Sequence, residues 1–462
     1  MRLQLVRLVF APCVALSIAA SAPVFAQAFT PHQAEAIDAA ARAALSSTGV
    51  PAASVAVVRD GKIVFAKAYG EQRPGQPART DAPYAIASVS KQFTAAAILI
   101  LADQGKLSLD DRIVRFLPEL TQARDVTIRQ LLGHTAGLRD WWPQDYVFDD
   151  MTRPTTPAAI LDRWAASPVD FTPGTQYQYS NTGYVAAGLI VERVSGEPLI
   201  TFLRKHVFDR AGMHPTDADN GLPATAPQGY SRFGLGPVHP ALPIATGWSF
   251  GSAGLVMTAG DLALWDITMI DHSLMSHVAY KAQQREQLLA NGLGTGYGLG
   301  VGIDAVQGHR RIKHPGGYSG FLSENRVYPD DRAAIVVLDN ADFGDAQTTI
   351  ADAIEQQLFA NNSGVGRASA LYVMLRSGKL DRARFTRHGN EYLTAAALAD
   401  LRSGLEPLGD PKAITQTQYG QRGGFTIERF ILDFGLRKLE LTVRAEPGRK
   451  GLVEEAMLSP MS

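Results

Sequence analysis

Strand patterns stand at the two ends of a long stretch of this chain, and mainly helical patterns fill its middle. Near the amino terminus, residues 54–58 and 63–69 flank an Asp60-Gly61 turn, which is typical of a β-hairpin. Four later segments also have strand patterns: residues 298–303, 310–314, 324–328 and 333–338. Apolar strand faces must be buried against another layer, so we expect one antiparallel sheet assembled from both ends, with a helical insertion beside it.

The overall composition excludes several classes of protein. Hydrophobic residues make up 46% of the 462 residues and charged residues 19%, which is typical of a globular protein and not of a disordered or fibrous chain. The formal net charge is -1, so the chain lacks the basic excess that attracts nucleic acid or an anionic membrane. We therefore expect no nucleic-acid partner.

Residues 1–26 have the layout of a secretory signal peptide. Arg2 and Arg7 precede an apolar run over residues 8–20, and small residues then lead to cleavage after Ala26 or Ala28. The single cysteine, Cys13, lies inside this segment. We expect a periplasmic or secreted mature chain without disulfide bonds, and no later run reaches the roughly 20 apolar residues of a membrane span.

A separate unit is expected at the carboxyl end. Asn361-Asn362-Ser363-Gly364 is typical of a linker, and residues 365–462 contain short helical patterns followed by four strand patterns. These strand patterns cover residues 413–419, 426–434, 439–444 and 452–458. We predict a small α+β accessory domain over residues 365–462. It has no obvious catalytic cluster, so a stabilising or homodimer-forming role is expected before a substrate-recruiting one.

A serine and a lysine three residues apart open a long apolar segment. Ser88-Val89-Ser90-Lys91 begins a helix pattern over residues 86–101 that is apolar almost all round, so the lysine is expected to be partly desolvated. Residues i and i+3 lie on one helix face about 5 to 6 Å apart. A lysine with a lowered pKa could then activate the Ser88 hydroxyl as a nucleophile. The plainer interpretation is a helix-capping serine followed by a solvated lysine.

Two further motifs are weak on their own. Tyr179-Ser180-Asn181 precedes a helix pattern, and its phenol and amide could shuttle a proton and donate a hydrogen bond in a cleft. The alternative is a core tyrosine with a helix-capping asparagine. His314-Pro315-Gly316-Gly317 ends a strand pattern, and Pro315 indicates an edge strand because proline cannot donate to a ladder. The Gly317 amide could serve as an oxyanion donor, or the segment could be a turn with a surface histidine.

In this order, the three motifs resemble those of the penicillin-recognising serine hydrolases, which include class C β-lactamases, D,D-peptidases, D-aminopeptidases and related family VIII-type carboxylesterases. In that superfamily Ser-x-x-Lys, Tyr-x-Asn and Lys/His-x-Gly follow one another, as Ser88, Tyr179 and His314 do here. Three further stretches look like the family: residues 131–138, 254–262 and 297–300. The resemblance covers about residues 31–360.

The resemblance implies an α/β (α+β) fold of the β-lactamase/transpeptidase-like kind, an antiparallel sheet flanked by helices plus an all-helical subdomain. The implied catalytic domain spans residues 27–362. Its sheet region lies in residues 31–109 and 285–362, and its helical insertion covers residues 110–284. The small C-terminal α+β domain follows.

The same resemblance implies catalytic roles for three residues. Ser88 would be the acylated nucleophile, Lys91 its base or proton relay, and Tyr179 the group that protonates the leaving group and activates water. The expected function is a serine hydrolase that forms an acyl-enzyme on an ester, an amide or a D-amino-acid peptide, with no metal or other cofactor. The alternative is a penicillin-binding sensor or interaction protein that is acylated without efficient turnover.

Four more residues are implied to bind the substrate. Asn181 would bind a substrate carbonyl or assist Lys91. The Gly317 amide would complete an oxyanion hole with the amide of the nucleophile, and His314 and Gly316 would line the same edge. The expected partner is a small-molecule or short-peptide substrate.

One position departs from the family pattern. β-Lactamases and D,D-peptidases usually have Lys-Thr-Gly or Lys-Ser-Gly at the third motif, whereas this chain has His314-Pro315-Gly316. An imidazole with an ordinary pKa of about 6.5 replaces the amine, and the hydroxyl is missing, which favours a substrate without a carboxylate. If His314 must be cationic, activity should fall as pH rises through neutrality.

A second serine motif is expected to be inert. Gly247-Trp248-Ser249-Phe250-Gly251 fits the Gly-x-Ser-x-Gly pattern of α/β-hydrolases, but that pattern needs a strand before it and a helix directly after it. Residues 234–245 are rich in proline and glycine instead. Trp141, Trp142 and Trp248 are expected either to line the cleft or to pack the insertion.

Overall fold

The computed structural model describes residues 29–142, 149–306, 309–359, 364–446 and 451–461. The expected signal peptide and linker residues 361–363 lie outside these ranges. The strands are β1 (Ala52–Arg59), β2 (Lys62–Arg73), β3 (Gln76–Pro77), β4 (Tyr84–Ala85), β5 (Thr216–Asp217), β6 (Tyr230–Ser231), β7 (His239–Pro240), β8 (Leu255–Met257), β9 (Gly302–Val306), β10 (His309–Tyr318), β11 (Phe321–Tyr328), β12 (Ala333–Asp339), β13 (Ala413–Arg422), β14 (Phe425–Asp433), β15 (Lys438–Ala445) and β16 (Val453–Pro460). The α-helices are α1 (Pro31–Thr48), α2 (Lys91–Asp103), α3 (Ile128–Leu132), α4 (Pro157–Ile160), α5 (Asn181–Ser195), α6 (Leu199–Leu203), α7 (Asp209–Ala211), α8 (Ala259–Asp271), α9 (His277–Gln283), α10 (Ala346–Phe359), α11 (Gly364–Ser377), α12 (Arg387–Tyr392) and α13 (Ala395–Leu405).

The central antiparallel sheet joins strands from both ends of the long stretch, as expected. Its order is β3-β2-β1-β12-β11-β10-β9. β1 and β2 meet at a turn in which Asp60 and Gly61 have φ angles of 52° and 74°, the positive values that a two-residue hairpin requires. On its other side β1 pairs with β12, where Ala53 lies opposite Asp339.

Both faces of the sheet are buried. Side chains alternate across a strand, so Val55 and Val57 of β1 join a core under α1 and α10, whereas Ala56 and Val58 join the larger core with α2 and α8. The predicted sheet flanked by helices is therefore confirmed. The insertion over residues 110–284 is not all-helical, because it also contains the short strands β5, β6, β7 and β8.

Two predicted elements have different bounds in the structure. The strand pattern of residues 298–303 becomes a strand only at Gly302, because Gly300 has a φ of 77° that ends extended structure before it. The helix pattern of residues 86–101 begins with a 3₁₀ turn, Ala87–Ser90, and continues as α2. In that turn Ala87 has a φ of 51°, outside the helical range.

The C-terminal residues form a small α+β unit with its own core. β13, β14, β15 and β16 make an antiparallel sheet in that order, and α11 packs against α13 and β13. Leu371, Phe430 and Leu441 are fully buried in a cluster drawn from this part of the chain alone. Among the described residues, no helix has the length and apolar character needed to cross a membrane.

Candidate active site

Ser88 sits in a tightly held turn between β4 and α2. The preceding Ala87 has a positive φ of 51°, which is unusual for a residue with a Cβ and is a kind of backbone strain found at functional sites. The Ile86 carbonyl oxygen accepts a hydrogen bond from Ser323 Oγ of β11 at 2.9 Å. The turn is therefore attached to the sheet directly beside the predicted nucleophile.

The amine of Lys91 faces three acceptors. Its Nζ lies 2.7 Å from Asn181 Oδ1, 2.9 Å from the carbonyl oxygen of Ser252 and 3.1 Å from Ser88 Oγ. The side chain is fully buried. The structure therefore brings together the serine and lysine of the first predicted motif and the amide of the second.

The protonation state of this amine follows from its surroundings. Burial lowers the pKa of Lys91 from 10.5 to about 7, and the charge of Asp140 opposes that shift. A neutral amine has two hydrogens and one lone pair. When the hydrogens go to Asn181 Oδ1 and the Ser252 carbonyl, which can only accept, the lone pair is left for the Ser88 hydroxyl. This is the geometry of a general base.

A buried carboxylate holds the second motif in place. Asp140 accepts hydrogen bonds from the backbone N–H of Asn181 at 2.7 Å, from Asn181 Nδ2 at 3.0 Å and from the backbone N–H of Thr182 at 3.0 Å. Since Nδ2 is engaged there, the Oδ1 atom of Asn181 turns to Lys91. Burial raises the pKa of Asp140, and the amides of α5 together with the Lys91 charge oppose that rise. Asp140 is not among the site residues predicted from the sequence, although it lies two residues after the family-like residues 131–138.

Tyr179 lies against the same amine. Lys91 Nζ is 4.8 Å from the centroid of the Tyr179 ring. Burial raises the pKa of Tyr179, and a hydrogen bond with the Ser88 side chain opposes the rise. The phenol is thus protonated at neutral pH and can donate a proton. The neighbouring Ser180, and not Asn181, caps α5 by accepting from the Gly183 N–H.

His134 supports Tyr179 from behind. Its ring centroid lies 4.2 Å from that of Tyr179, and its Nδ1 accepts a hydrogen bond from the backbone N–H of Ser180 at 3.1 Å. Burial lowers the pKa of His134 well below its usual value, so the ring is neutral and its proton lies on Nε2. His134 thereby fixes the loop that carries the second motif.

His314 is held as a neutral imidazole. Its Nδ1 donates to the carbonyl oxygen of Pro315 at 2.7 Å, and its Nε2 lies 2.9 Å from the Tyr297 hydroxyl, from which it accepts. Burial, with the Lys91 charge as a smaller cause, lowers the pKa of His314 to about 3. The cationic form considered from the sequence is therefore disfavoured at neutral pH. Tyr297, which lies in a family-like stretch, was not singled out as its partner.

β10, the strand that carries the third motif, is an edge of the sheet over only part of its length. β9 covers β10 from His309 to Lys313, and the pairing on that side ends there, so the strand is open from His314 onward. Gly316 and Gly317 line the cavity next to Ser88. The expected edge is thus confined to the half of β10 that carries the predicted substrate-binding residues.

The two glycines of this edge differ in how closely they are packed. A Cβ on Gly316 would overlap the Ile86 carbonyl oxygen and Ser323 Oγ, whereas a Cβ on Gly317 would meet only Leu322 Cδ2 at 3.6 Å. Gly316 therefore allows the strand to approach the nucleophile turn.

Substituting these glycines tests that close approach. Gly316→Ala should lower the free energy of unfolding by about 1 to 3 kcal/mol, the usual cost of overpacking, and should also lower kcat/KM by displacing the nucleophile turn. Gly317→Ala keeps the backbone N–H and should change stability by less than about 1 kcal/mol. Urea denaturation of both variants measures the difference, and equal midpoints would contradict this account of Gly316.

A cavity of about 790 Å³ opens in front of these groups. Its walls are largely aromatic and apolar, and they include all three tryptophans that the sequence analysis singled out. The ring centroids of Trp141 and Trp248 also lie 5.6 Å apart. These two side chains therefore line the cleft and also pack the insertion. Ser249 reaches the wall too, but its Oγ donates to Asp219 Oδ1 at 3.0 Å.

In the part of the chain that the structure describes, no cluster of His, Cys, Asp and Glu side chains is suited to hold a metal ion. Ser249 follows a turn and precedes β8, a strand, so it lacks the strand-to-helix setting of an α/β-hydrolase nucleophile.

Comparisons with known proteins agree on one family. The family model described as Beta-lactamase matches residues 32–359. A penicillin-binding protein of Bacillus subtilis (strain 168) is 26% identical over 361 residues, covering 74% of this chain and 79% of that protein. A D-aminopeptidase of Brucella anthropi is 28% identical over 310 residues, or 64% of this chain, and the match spans only 57% of that relative's length. The crystal structure of a D-stereospecific amidohydrolase from Streptomyces sp. superposes with a TM-score of 0.62 at 26% identity, covering 70% of this chain and 98% of that one.

Proposed function

The chain belongs to the beta-lactamase family and is a serine hydrolase of the penicillin-recognising superfamily, and we propose that it acts through a covalent acyl-enzyme on Ser88. The observation that carries the proposal is the buried Lys91 amine, which lies 3.1 Å from Ser88 Oγ while two other acceptors take its hydrogens. This arrangement supplies the adjacent base that a serine nucleophile needs.

In the acylation step, Ser88 Oγ attacks the carbonyl carbon of an ester or amide and its proton passes to Lys91 Nζ. The carbonyl oxygen becomes an oxyanion, which the backbone N–H groups of Ser88 and Gly317 would stabilise; one such donor is typically worth about 10²- to 10³-fold in rate. Tyr179 donates its phenolic proton to the leaving oxygen or nitrogen as the C–O or C–N bond breaks. The Lys91 ammonium then returns a proton to Tyr179.

Deacylation repeats these steps with water in place of Ser88. Water loses a proton to the Lys91–Tyr179 pair and attacks the acyl carbon, and Ser88 Oγ leaves with that proton. The products are a carboxylic acid and free enzyme. Asn181 holds Lys91 in place throughout, because its own amide is anchored on Asp140.

Substrates without a carboxylate next to the scissile bond are favoured by the charges of the cavity. His314 is neutral, and the cavity lysine, Lys313, is paired with Asp304 at 2.6 Å. We therefore expect hydrolysis of p-nitrophenyl esters and amino-acid amides to exceed that of nitrocefin and of a D-Ala-D-Ala peptide. Parallel assays of the purified protein test this order. An acyl-enzyme that persists for hours on every substrate would favour the alternative sensor function.

The pH dependence of the reaction should follow Lys91. A base is active when neutral, so kcat/KM for an uncharged ester should rise with pH through about 7, the lowered pKa of Lys91, and then level off. His314 adds no falling limb near neutrality, because its pKa is lowered to about 3. Initial rates from pH 5 to 9, corrected for spontaneous hydrolysis, measure the profile. A rate that falls between pH 6 and 8 would indicate a cationic His314 instead.

We also propose that the protein is secreted and that it forms a homodimer. The signal-peptide layout of residues 1–26 supports export to the periplasm or the medium. A homodimer formed through residues 365–462 is a further prediction. Fractionation of expressing cells with N-terminal sequencing tests the first, and light scattering of the full and shortened chains tests the second.

A further inference from the structure

One wall of the cavity holds a carboxylate, that of Asp342. Asp342 follows β12 and lines the cavity near Tyr318 and Ser319. Its oxygens accept from Ser231 Oγ at 2.7 and 2.8 Å and from the backbone N–H of Gly320 at 3.0 Å. Both donors are neutral, and none of the ion pairs among the described residues includes Asp342.

A second acceptor lies on the same wall. Gln347 is only 8% exposed and lines the cavity, and its Oε1 has no hydrogen-bond partner among the described residues. Leaving a buried acceptor unpaired costs about 1 to 3 kcal/mol, so a donor from a bound molecule would be favoured there. An anionic carboxylate beside an unpaired amide oxygen suits an ammonium or guanidinium group.

The cationic side chain that lines the cavity does not cancel this preference. Lys313, the lysine of the cavity wall, is paired with Asp304. Asp339 lies close to Asp342, but burial raises the pKa of Asp339 to about 8, so it is largely neutral at pH 7. Among the described residues that line the cavity, Asp342 is the one carboxylate.

The direction of β10 indicates on which side of the scissile bond Asp342 lies. The proton donor Tyr179 faces the start of the open edge, with its ring 6.2 Å from that of His314, so the leaving group lies on that side. The acyl group then extends the other way, past Gly317 towards Gly320, whose N–H touches Asp342. β10 ends at Tyr318, and Ser319 and Gly320 form the turn into β11, so Asp342 lies at the turn end of this hairpin, on the acyl side of the oxyanion site.

We propose that the acyl part of the substrate carries a cationic group, an ammonium or a guanidinium, at the end remote from the scissile carbonyl, and that Asp342 and Gln347 bind it. The apolar walls hold the chain between the carbonyl and the cation. This inference rests on the proposed function, since it needs an acyl group bound at Ser88.

Three p-nitrophenyl esters of equal length test the inference. They are the 8-aminooctanoate, the 8-hydroxyoctanoate and the monoester of octanedioic acid, which end in a cation, a neutral group and an anion. The variant Asp342→Asn keeps an acceptor for Gly320 and a partner for Ser231 while removing the charge. Asp330→Asn removes the same charge from an exposed carboxylate paired with Arg310 and serves as the control for general electrostatic effects.

For the unaltered protein, kcat/KM should be highest for the amino ester. Asp342→Asn should lower that value about tenfold, which corresponds to loss of one charge-assisted hydrogen bond, with less than about a twofold change for the hydroxy ester. Asp330→Asn should change neither, and thermal melting checks that both variants fold. Equal rates for the amino and hydroxy esters, or an Asp342→Asn variant that keeps the preference, would overturn the inference but leave the hydrolase standing. Failure of the unaltered protein on all three esters would contradict the proposed function itself.

Discussion

Replacing Ser88 with alanine should lower kcat/KM on a p-nitrophenyl ester by at least about 10⁴-fold, since no other group can take the acyl chain. The fold should be unaffected, because the change removes one oxygen from a turn held by backbone contacts and by the Ser323 hydrogen bond to Ile86. Intact-mass spectrometry after rapid acid quenching should show one acyl adduct per chain for the unaltered protein and none for Ser88→Ala.

Ser249→Ala is the matched control for that variant. Ser249 lies on the same cavity wall and in a sequence pattern associated with another hydrolase fold, yet its hydroxyl is engaged by Asp219. Activity within about threefold of the unaltered protein is expected, since no step of the reaction uses this oxygen. If Ser249→Ala were inactive and Ser88→Ala still formed an adduct, the assignment of the nucleophile would be wrong.

Replacing Lys91 with methionine should lower kcat/KM by about 10²- to 10⁴-fold, the usual contribution of a positioned general base. Methionine is of similar length and suits a fully buried site, but it leaves the oxygen of Asn181 and the carbonyl of Ser252 without the donor they have now. Some loss of stability is therefore expected, about 1 to 3 kcal/mol for the unpaired acceptors. Rates must be measured below the lowered melting temperature.

Two readouts separate the loss of the base from a merely disturbed structure. The residual activity of Lys91→Met should lose the rise through about pH 7, because the titrating group is gone. Lys313→Met removes the lysine that lines the cavity and should retain both activity and the pH profile. A Lys91→Met variant that keeps the rising limb would assign the limb to a different group.

The sequence was sufficient for the features that depend on local pattern or on motif order. The hairpin at Asp60-Gly61 could be predicted because the turn residues determine its conformation. The three motifs could be placed together only through the family resemblance, because Ser88, Tyr179 and His314 lie far apart in the chain and no local rule brings them into contact.

The features that could not be predicted from the sequence depend on burial by residues distant in the chain. A histidine in a Lys/His-x-Gly motif has an ordinary pKa until its neighbours are known, and here burial and the Tyr297 hydroxyl keep His314 neutral. Asp140 had no signal of its own, because its role comes from three donors at the start of α5. The strand expected at residues 298–301 does not form, because Gly300 has a positive φ and interrupts a pattern that otherwise favours extended structure.

The pairing of β1 with β12 has a consequence for how activity arises during synthesis. β1 is made early and β12 late, yet the two strands lie side by side in the sheet that supports the nucleophile turn. Contacts between such distant segments form slowly, because the intervening loop must close first. We therefore expect the Ser88 hydroxyl of a nascent chain to react as an ordinary alcohol until β12 is in place, and the incomplete chain to be inert as a hydrolase.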